Sequence, residues 1–105
     1  MAHAASAWTR YWQTGQIHSC ISAASSDGAE LAALWQDMAR GLPTGTRVLD
    51  LATGNGAVPQ HFVEANPGLH ITGVDQANIA PTTRGVSYQG KIDITQLPFA
   101  DGSFD

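Results

Sequence analysis

The sequence predicts an α/β protein built on a parallel sheet, and three neighbouring segments carry this prediction. A mainly apolar run over residues 48–52 ends in the glycine-rich turn Thr53–Gly56, as a buried strand does when it enters a tight turn. A helix is expected next, over residues 57–65, and a second strand over residues 69–75. Strand, helix and strand in this spacing are typical of two parallel strands joined by a right-handed crossover.

The remaining boundaries of this unit follow from proline and glycine. Pro59 fits the first turn of the helix, where no backbone donor is needed, and Val58 and Phe62 are expected to face inward. A third, shorter strand is predicted over residues 86–89. The proline and glycine within residues 76–85 indicate a loop or a single turn before that strand.

The first 45 residues are predicted to form a helical segment in front of the sheet. Three aromatic residues between positions 8 and 12 share one face of a short helix, for which core packing is the more common role. A second helix has Asp27 as its expected cap and stops before Gly41 and Pro43. The chain is thus divided into an N-terminal helical or lid segment, 1–45, and a sheet domain, 46–105. The apolar stripe expected on the second helix is Leu31, Leu34, Trp35 and Met38.

Composition limits the classes of function. The chain has 105 residues, enough for one core, and a formal net charge of -4 with only 5 lysines and arginines, so no nucleic-acid partner is expected. Its single cysteine, Cys20, cannot form an internal disulfide, and its histidines show no metal-ligand spacing, so no metal is expected. The N-terminal residues lack an unbroken apolar stretch, which predicts neither a signal peptide nor a membrane span. A soluble, cytoplasmic protein is expected.

The carboxyl end of the first strand concentrates the candidate chemistry. Gly54 and Gly56 allow a ligand to approach the backbone closely, and free N–H groups of the following helix are expected to point into the same crevice. Asp75 lies 19 positions after Gly56, a separation at which a carboxylate accepts hydrogen bonds from ribose hydroxyls. Asp50 faces the turn, and its charge favours a cation over a phosphate. The dinucleotide fingerprint requires glycine where the chain has Pro59, so a cationic nucleoside is favoured over a dinucleotide.

These residues belong to longer motifs that resemble a known family. Residues 48–56, Val-Leu-Asp-Leu-Ala-Thr-Gly-Asn-Gly, resemble the first motif of class I S-adenosylmethionine-dependent methyltransferases, although Ala52 stands where many members have glycine. Residues 71–75 resemble the family's second strand with its ribose-binding acid, residues 93–99 its adenine-proximal segment, and residues 101–105 the lead into its fourth strand. The resemblance implies a Rossmann-like sheet of order 3-2-1-4-5-7-6, of which this chain holds the first three strands, 3-2-1.

The resemblance also implies the cofactor, S-adenosylmethionine, and the residues that hold it. Gly54 and Gly56 would lie against its methionine part, with Asp50 near its ammonium group. Asp75 would hold the ribose hydroxyls, while Asp93 would accept a hydrogen bond from the adenine amino group. The full expected cofactor-binding set is Asp50, Ala52, Gly54, Gly56, Asp75, Gln76, Asp93 and Ile94.

The implied activity is methyl transfer to a small-molecule acceptor. The N-terminal segment would fold over the cofactor, with Tyr11, His18 and Cys20 as candidate lid or substrate contacts. The sequence assigns neither the acceptor nor a catalytic residue. Two other functions stay open: a nucleotide-binding oxidoreductase, disfavoured by Pro59 and Asp50, and a non-catalytic nucleoside-binding or assembly module.

Each candidate acid also has a structural interpretation. Asp50 could fix a turn, Asp75 could end a strand in solvent, and Asp93 could cap a short turn through its side chain. Their order after the first, second and third strands favours a common site, because the carboxyl ends of parallel strands meet at one edge of a sheet.

A fourth strand beside the first would complete the sheet implied by the resemblance. Without it, the strand over residues 48–52 has one unpaired side, and such an edge invites pairing. We therefore expect the 105-residue chain to be a fragment or to need a partner. It is also expected to self-associate through this edge and to show no methyl transfer as a monomer.

Overall fold

The computed structural model describes residues 26–78 and 81–105, together with Ala7 and Thr9. Within residues 26–78 and 81–105 the helices are α1, Ser26–Arg40, and α2, Ala57–Ala65. The strands are β1, Arg47–Leu51, β2, His70–Val74, and β3, Val86–Gln89, which form one parallel sheet of order β1-β2-β3. The predicted α/β fold and the order of its first three strands are therefore confirmed.

The core lies between the helices and one face of the sheet. Strand register places Val48, Ile71 and Val86 side by side on that face. Ile71 is buried with Phe62 of α2, and Val48 and Val86 pack against this cluster. The Trp35 ring of α1 lies 6.0 Å from the Phe62 ring, so both helices contribute to the same core. The inward direction predicted for Phe62 is confirmed.

The stripe predicted for α1 is wrong in part. Leu34 and Met38 are 56% and 51% exposed, whereas Ala32 and Ala39 are buried and Trp35 packs on the core. The buried positions, Ala32, Trp35 and Ala39, are again three or four residues apart, as a helix face requires, but this face excludes Leu34 and Met38. Small alanine side chains let α1 lie close to α2, and this contact decides which face is buried.

The connection between β2 and β3 is a loop in the residues that the structure describes, as predicted. Residues 76–78 form a bend, and residues 81–85 lead into β3 without a helix. No helix in the described part of the chain is both long and apolar enough to span a membrane.

The outer edge of β1 is partly occupied by the end of the chain. Asp105 donates its backbone N–H to the Arg47 carbonyl oxygen at 2.9 Å, and its carboxylate accepts from the Arg47 backbone N–H and guanidinium group. This ion pair raises the pKa of Arg47 and lowers that of Asp105. Among the described residues none pairs with Leu49 or Leu51 on this side, so most of the edge is open there. Self-association through it stays a prediction.

Candidate functional site

Asp75 ties the glycine-rich turn to the end of β2. It directly follows Val74, the last residue of β2, and is only 5% exposed. One carboxylate oxygen accepts the Gly54 N–H at 2.9 Å, and the other accepts the Ala77 N–H at the same distance. The side chain is therefore not a solvated strand end. A carboxylate has about four acceptor positions, so two of those on Asp75 have no described partner.

The backbone of Asp75 joins the third candidate segment to the same place. Asp75 donates to the Gln89 carbonyl at 3.1 Å, and Ile92 donates to the Asp75 carbonyl at 2.9 Å. Asp93 is the next residue after Ile92. The segments that carry Gly54, Asp75 and Asp93 therefore meet at the carboxyl end of the sheet, as the order of the motifs predicts.

The first turn of α2 offers fewer donors than the sequence suggests. Ala57 donates its N–H to the Asn55 side chain at 3.1 Å, Pro59 has no N–H, and Gln60 donates to the Gly56 carbonyl. Among the described residues Val58 is the one position of this turn whose N–H has no partner. The expectation of several free donors here is wrong, because Asn55 and Gly56 cap the helix themselves. A site with so few donors is poorly suited to a pyrophosphate.

Positive φ angles run through the turn. Gly54 and Gly56 have φ of 57° and 81°, which glycine adopts at low cost. Ala52 also has a positive φ, 59°. At this position many members of the family that the chain resembles carry glycine. A side-chain Cβ is disfavoured in this conformation, so the chain retains backbone strain immediately before the turn.

Replacing Ala52 by glycine should relieve that strain. We expect Ala52→Gly to raise the free energy of unfolding by about 0.5–1 kcal/mol, since glycine has no steric penalty at positive φ. Urea denaturation of the two chains measures the difference. Ala57→Gly, within α2, is the matched control and should lose stability by about 0.5–1 kcal/mol. A loss in both variants would contradict the interpretation of Ala52.

Asp50 is half-buried on the face of the sheet that carries the core. Burial raises its pKa, a nearby Thr53 hydroxyl opposes the rise, and the negative charge of Asp75 adds to it. The Thr53 hydroxyl is close enough to affect the charge but makes no hydrogen bond of normal geometry with any described residue. No described lysine or arginine contributes to the shift. Among the described residues, the site thus contains a partly desolvated carboxylate with no basic side chain beside it.

This arrangement gives stability a defined pH dependence. Because the pKa of Asp50 is raised in the folded chain, its contribution to stability is full below the ordinary value of 3.8 and is lost as pH rises through the folded pKa. Asp50→Asn removes the charge, so we expect it to unfold at a higher temperature than the wild type at neutral pH and to lose that advantage in acid. Thermal unfolding at a series of pH values measures this. Asp101→Asn, on an exposed turn, is the control and should not raise the neutral unfolding temperature.

Tyr88 belongs to the site and was not predicted from the sequence. Register places Asp50, Gly73 and Tyr88 in one row across the three strands. A Cβ on Gly56 would lie 2.5 Å from the Tyr88 hydroxyl oxygen, so the space beside Gly56 is filled by this tyrosine. Gly56 therefore has a packing role, and its contact with a cofactor stays a prediction. Alternation along β3 is the signal that could have placed Tyr88 on this face.

The remaining predicted cofactor residues lie at the surface. Gln76, Asp93 and Ile94 are exposed. One Asp93 oxygen accepts from the Thr95 N–H and hydroxyl, at 2.9 and 2.6 Å, and these bonds lower the pKa of Asp93. Asp93 thus caps its own turn, which is its structural interpretation. Its second oxygen has no described hydrogen-bond partner.

The candidate lid residues Tyr11, His18 and Cys20 lie outside the described residues. One contact of the N-terminal segment is described: Asn78 donates its N–H to the Thr9 hydroxyl at 2.7 Å, next to the end of β2. Within residues 26–78 and 81–105 no three histidine, cysteine, aspartate or glutamate side chains form a group that could hold a metal ion.

Comparison with known proteins adds no assignment. No protein-family model matches the chain, and no curated protein matches it either.

Proposed function

We propose that this chain is the cofactor-binding part of an S-adenosylmethionine-dependent methyltransferase that acts on a small-molecule acceptor. The observation that carries the proposal is Asp50, a half-buried carboxylate beside the glycine turn with no described basic side chain to neutralise it. Burying a charge without a counter-charge costs stability, which is expected where a ligand supplies the opposite charge. S-adenosylmethionine carries two positive groups, an ammonium and a sulfonium.

The rest of the crevice fits the same ligand. The scarcity of free donors in the first turn of α2 disfavours a dinucleotide pyrophosphate, and so does Pro59. Asp75 retains acceptor positions for ribose hydroxyls, and the free oxygen of Asp93 is available to an adenine amino group. When bound, the cofactor supplies a methyl group on a good leaving group. The role of this chain is to hold and orient that group, which can provide much of the rate of an in-line transfer.

No catalytic residue is assigned, and the methyl acceptor is left open. A general base is needed only if the acceptor is protonated. The low number of basic residues favours an acceptor other than a nucleic acid, and the single cysteine fits work in the reducing cytoplasm.

Calorimetry with three ligands tests the proposal. We expect the 105-residue chain to bind S-adenosylmethionine and S-adenosylhomocysteine, and to bind NAD at least about tenfold more weakly. Asp50→Asn should weaken the binding of S-adenosylmethionine by about 10- to 100-fold, the range for a lost hydrogen bond to a charged group. Asp101→Asn should leave the binding unchanged. Tighter binding of NAD would favour the oxidoreductase. Binding of S-adenosylmethionine without methyl transfer, even beside a strand-completing partner, would favour the non-catalytic module.

A further inference from the structure

Tyr88 spans two glycines at the carboxyl end of the sheet. Its ring atom Cδ1 lies 2.9 Å from the position that a Cβ on Gly73 would take, and its hydroxyl oxygen lies 2.5 Å from the corresponding position on Gly56. A side chain at either glycine would collide with this ring. The ring therefore lies across β2, from β3 towards the glycine turn, on the face that carries Asp50.

The Thr53 side chain also lies next to Gly73, where it approaches the Tyr88 ring. Its hydroxyl oxygen lies 2.6 Å from the Cβ position of Gly73, so Thr53 and the Tyr88 ring meet above that glycine. Thr53 is only 8% exposed, and its hydroxyl makes no hydrogen bond of normal geometry in the described part of the chain, although it lies close enough to Asp50 to affect that carboxylate. A buried hydroxyl without a well-formed hydrogen bond costs free energy, and a ligand that donates to it would offset that cost.

The Tyr88 hydroxyl is oriented by Thr83. Tyr88 donates its proton to the Thr83 hydroxyl oxygen at 2.9 Å, so its lone pairs remain as acceptors. Burial raises the pKa of Tyr88, the bond to Thr83 opposes the rise, and the negative charge of Asp50 adds to it. Tyr88 therefore lies within the electrostatic field of Asp50.

We propose that Thr53 and Tyr88 are selectivity residues of this crevice, whose hydroxyl oxygens accept hydrogen bonds from the ammonium group of a ligand bound beside Asp50. A primary ammonium has three N–H donors, and Asp50, Thr53 and Tyr88 present three kinds of oxygen acceptor on one face of the sheet. The inference rests on the proposed function and adds two residues that discriminate between ligands with and without the amino-acid group.

Two ligands that differ in the amino-acid group test this inference. S-adenosylhomocysteine carries the ammonium, whereas 5′-methylthioadenosine has the same nucleoside and thioether without the amino acid. Dissociation constants for both are measured by NMR titration of the 105-residue chain, which reaches the millimolar range. We expect Thr53→Val and Tyr88→Phe each to raise the dissociation constant for S-adenosylhomocysteine by about tenfold or more. The dissociation constant for 5′-methylthioadenosine should rise by less than about twofold. Thr53→Ser retains the hydroxyl and should restore most of the preference. Thr44→Val, at an exposed position, is the control for removing a hydroxyl.

The outcomes separate this inference from the proposed function. If the wild-type chain binds neither ligand, the proposed function fails and the inference fails with it. If the wild type prefers S-adenosylhomocysteine but both hydroxyl deletions leave the preference unchanged, the inference alone is overturned. A second readout guards against a variant that does not fold: at neutral pH, where the ammonium is charged, the ring-carbon NMR signals of wild-type Tyr88 should shift on saturation with S-adenosylhomocysteine and much less with 5′-methylthioadenosine. Equal shifts with the two ligands, or none with S-adenosylhomocysteine, would also overturn the inference.

Discussion

Replacing Asp75 by alanine is expected to lower the free energy of unfolding by about 2–5 kcal/mol. The substitution leaves the N–H groups of Gly54 and Ala77 without their acceptors, and both residues are buried. Each buried donor without a partner costs about 1–3 kcal/mol. Urea denaturation monitored by tryptophan fluorescence measures the loss.

Asp93→Ala is the matched control for that substitution. Asp93 also accepts a backbone N–H two residues ahead, but it is exposed, and water can replace the lost acceptor. A much smaller loss is therefore expected. Equal losses in the two variants would show that the bond between Asp75 and Gly54 does not hold the glycine turn in place.

The second large effect is expected at Gly56. Alanine there must adopt a φ of 81°, at a cost of about 1–2 kcal/mol, and its Cβ would lie 2.5 Å from the Tyr88 hydroxyl oxygen, which adds about 1–3 kcal/mol for overpacking. Gly56→Ala should therefore lose about 2–5 kcal/mol of stability by urea denaturation. Gly102→Ala is the control: its φ is 78° with nothing within 4 Å of an added Cβ, so it should lose only the conformational part.

A double-mutant cycle separates the two costs at Gly56. Tyr88→Phe removes the hydroxyl that an alanine side chain would strike, so Gly56→Ala should cost at least about 1 kcal/mol less in that background. If the two substitutions are additive, the collision with Tyr88 is not what makes glycine necessary at this position.

Local sequence signals predicted most of the fold. Residues 57–65 and 86–89 have the bounds that were expected, because glycine, proline and asparagine mark their ends. The positions of Leu34 and Met38 on α1 were mispredicted because leucine and methionine were given more weight than alanine. The choice between the two faces depends on how closely α1 approaches α2, which is a tertiary contact.

The sequence predicted which residues follow the ends of the strands, but not the contacts that they make in the candidate site. Parallel pairing alone predicts that the segments carrying Gly54, Asp75 and Asp93 meet at one edge of the sheet, and the structure places them there. The hydrogen bond between Asp75 and Gly54 depends on the path of the glycine-rich turn. The position of Tyr88 over Gly73 depends on the register of β3 against β2. Neither the turn geometry nor the register is encoded in the spacing of residues along the chain.

The most direct test of the account is to map S-adenosylhomocysteine on the chain by amide NMR. We expect the largest shifts on titration at Gly54, Val58 and Asp75, with smaller shifts at Asp93, since these amides lie at the carboxyl end of the sheet. Amides in the last turn of α1, such as Ala39, should not shift, because the Ala39 carbonyl accepts from Asn66 at the opposite end of α2 from the glycine turn. Saturable binding with shifts confined to α1 or to residues 99–104, or no binding at millimolar ligand, would contradict a cofactor site at the glycine turn.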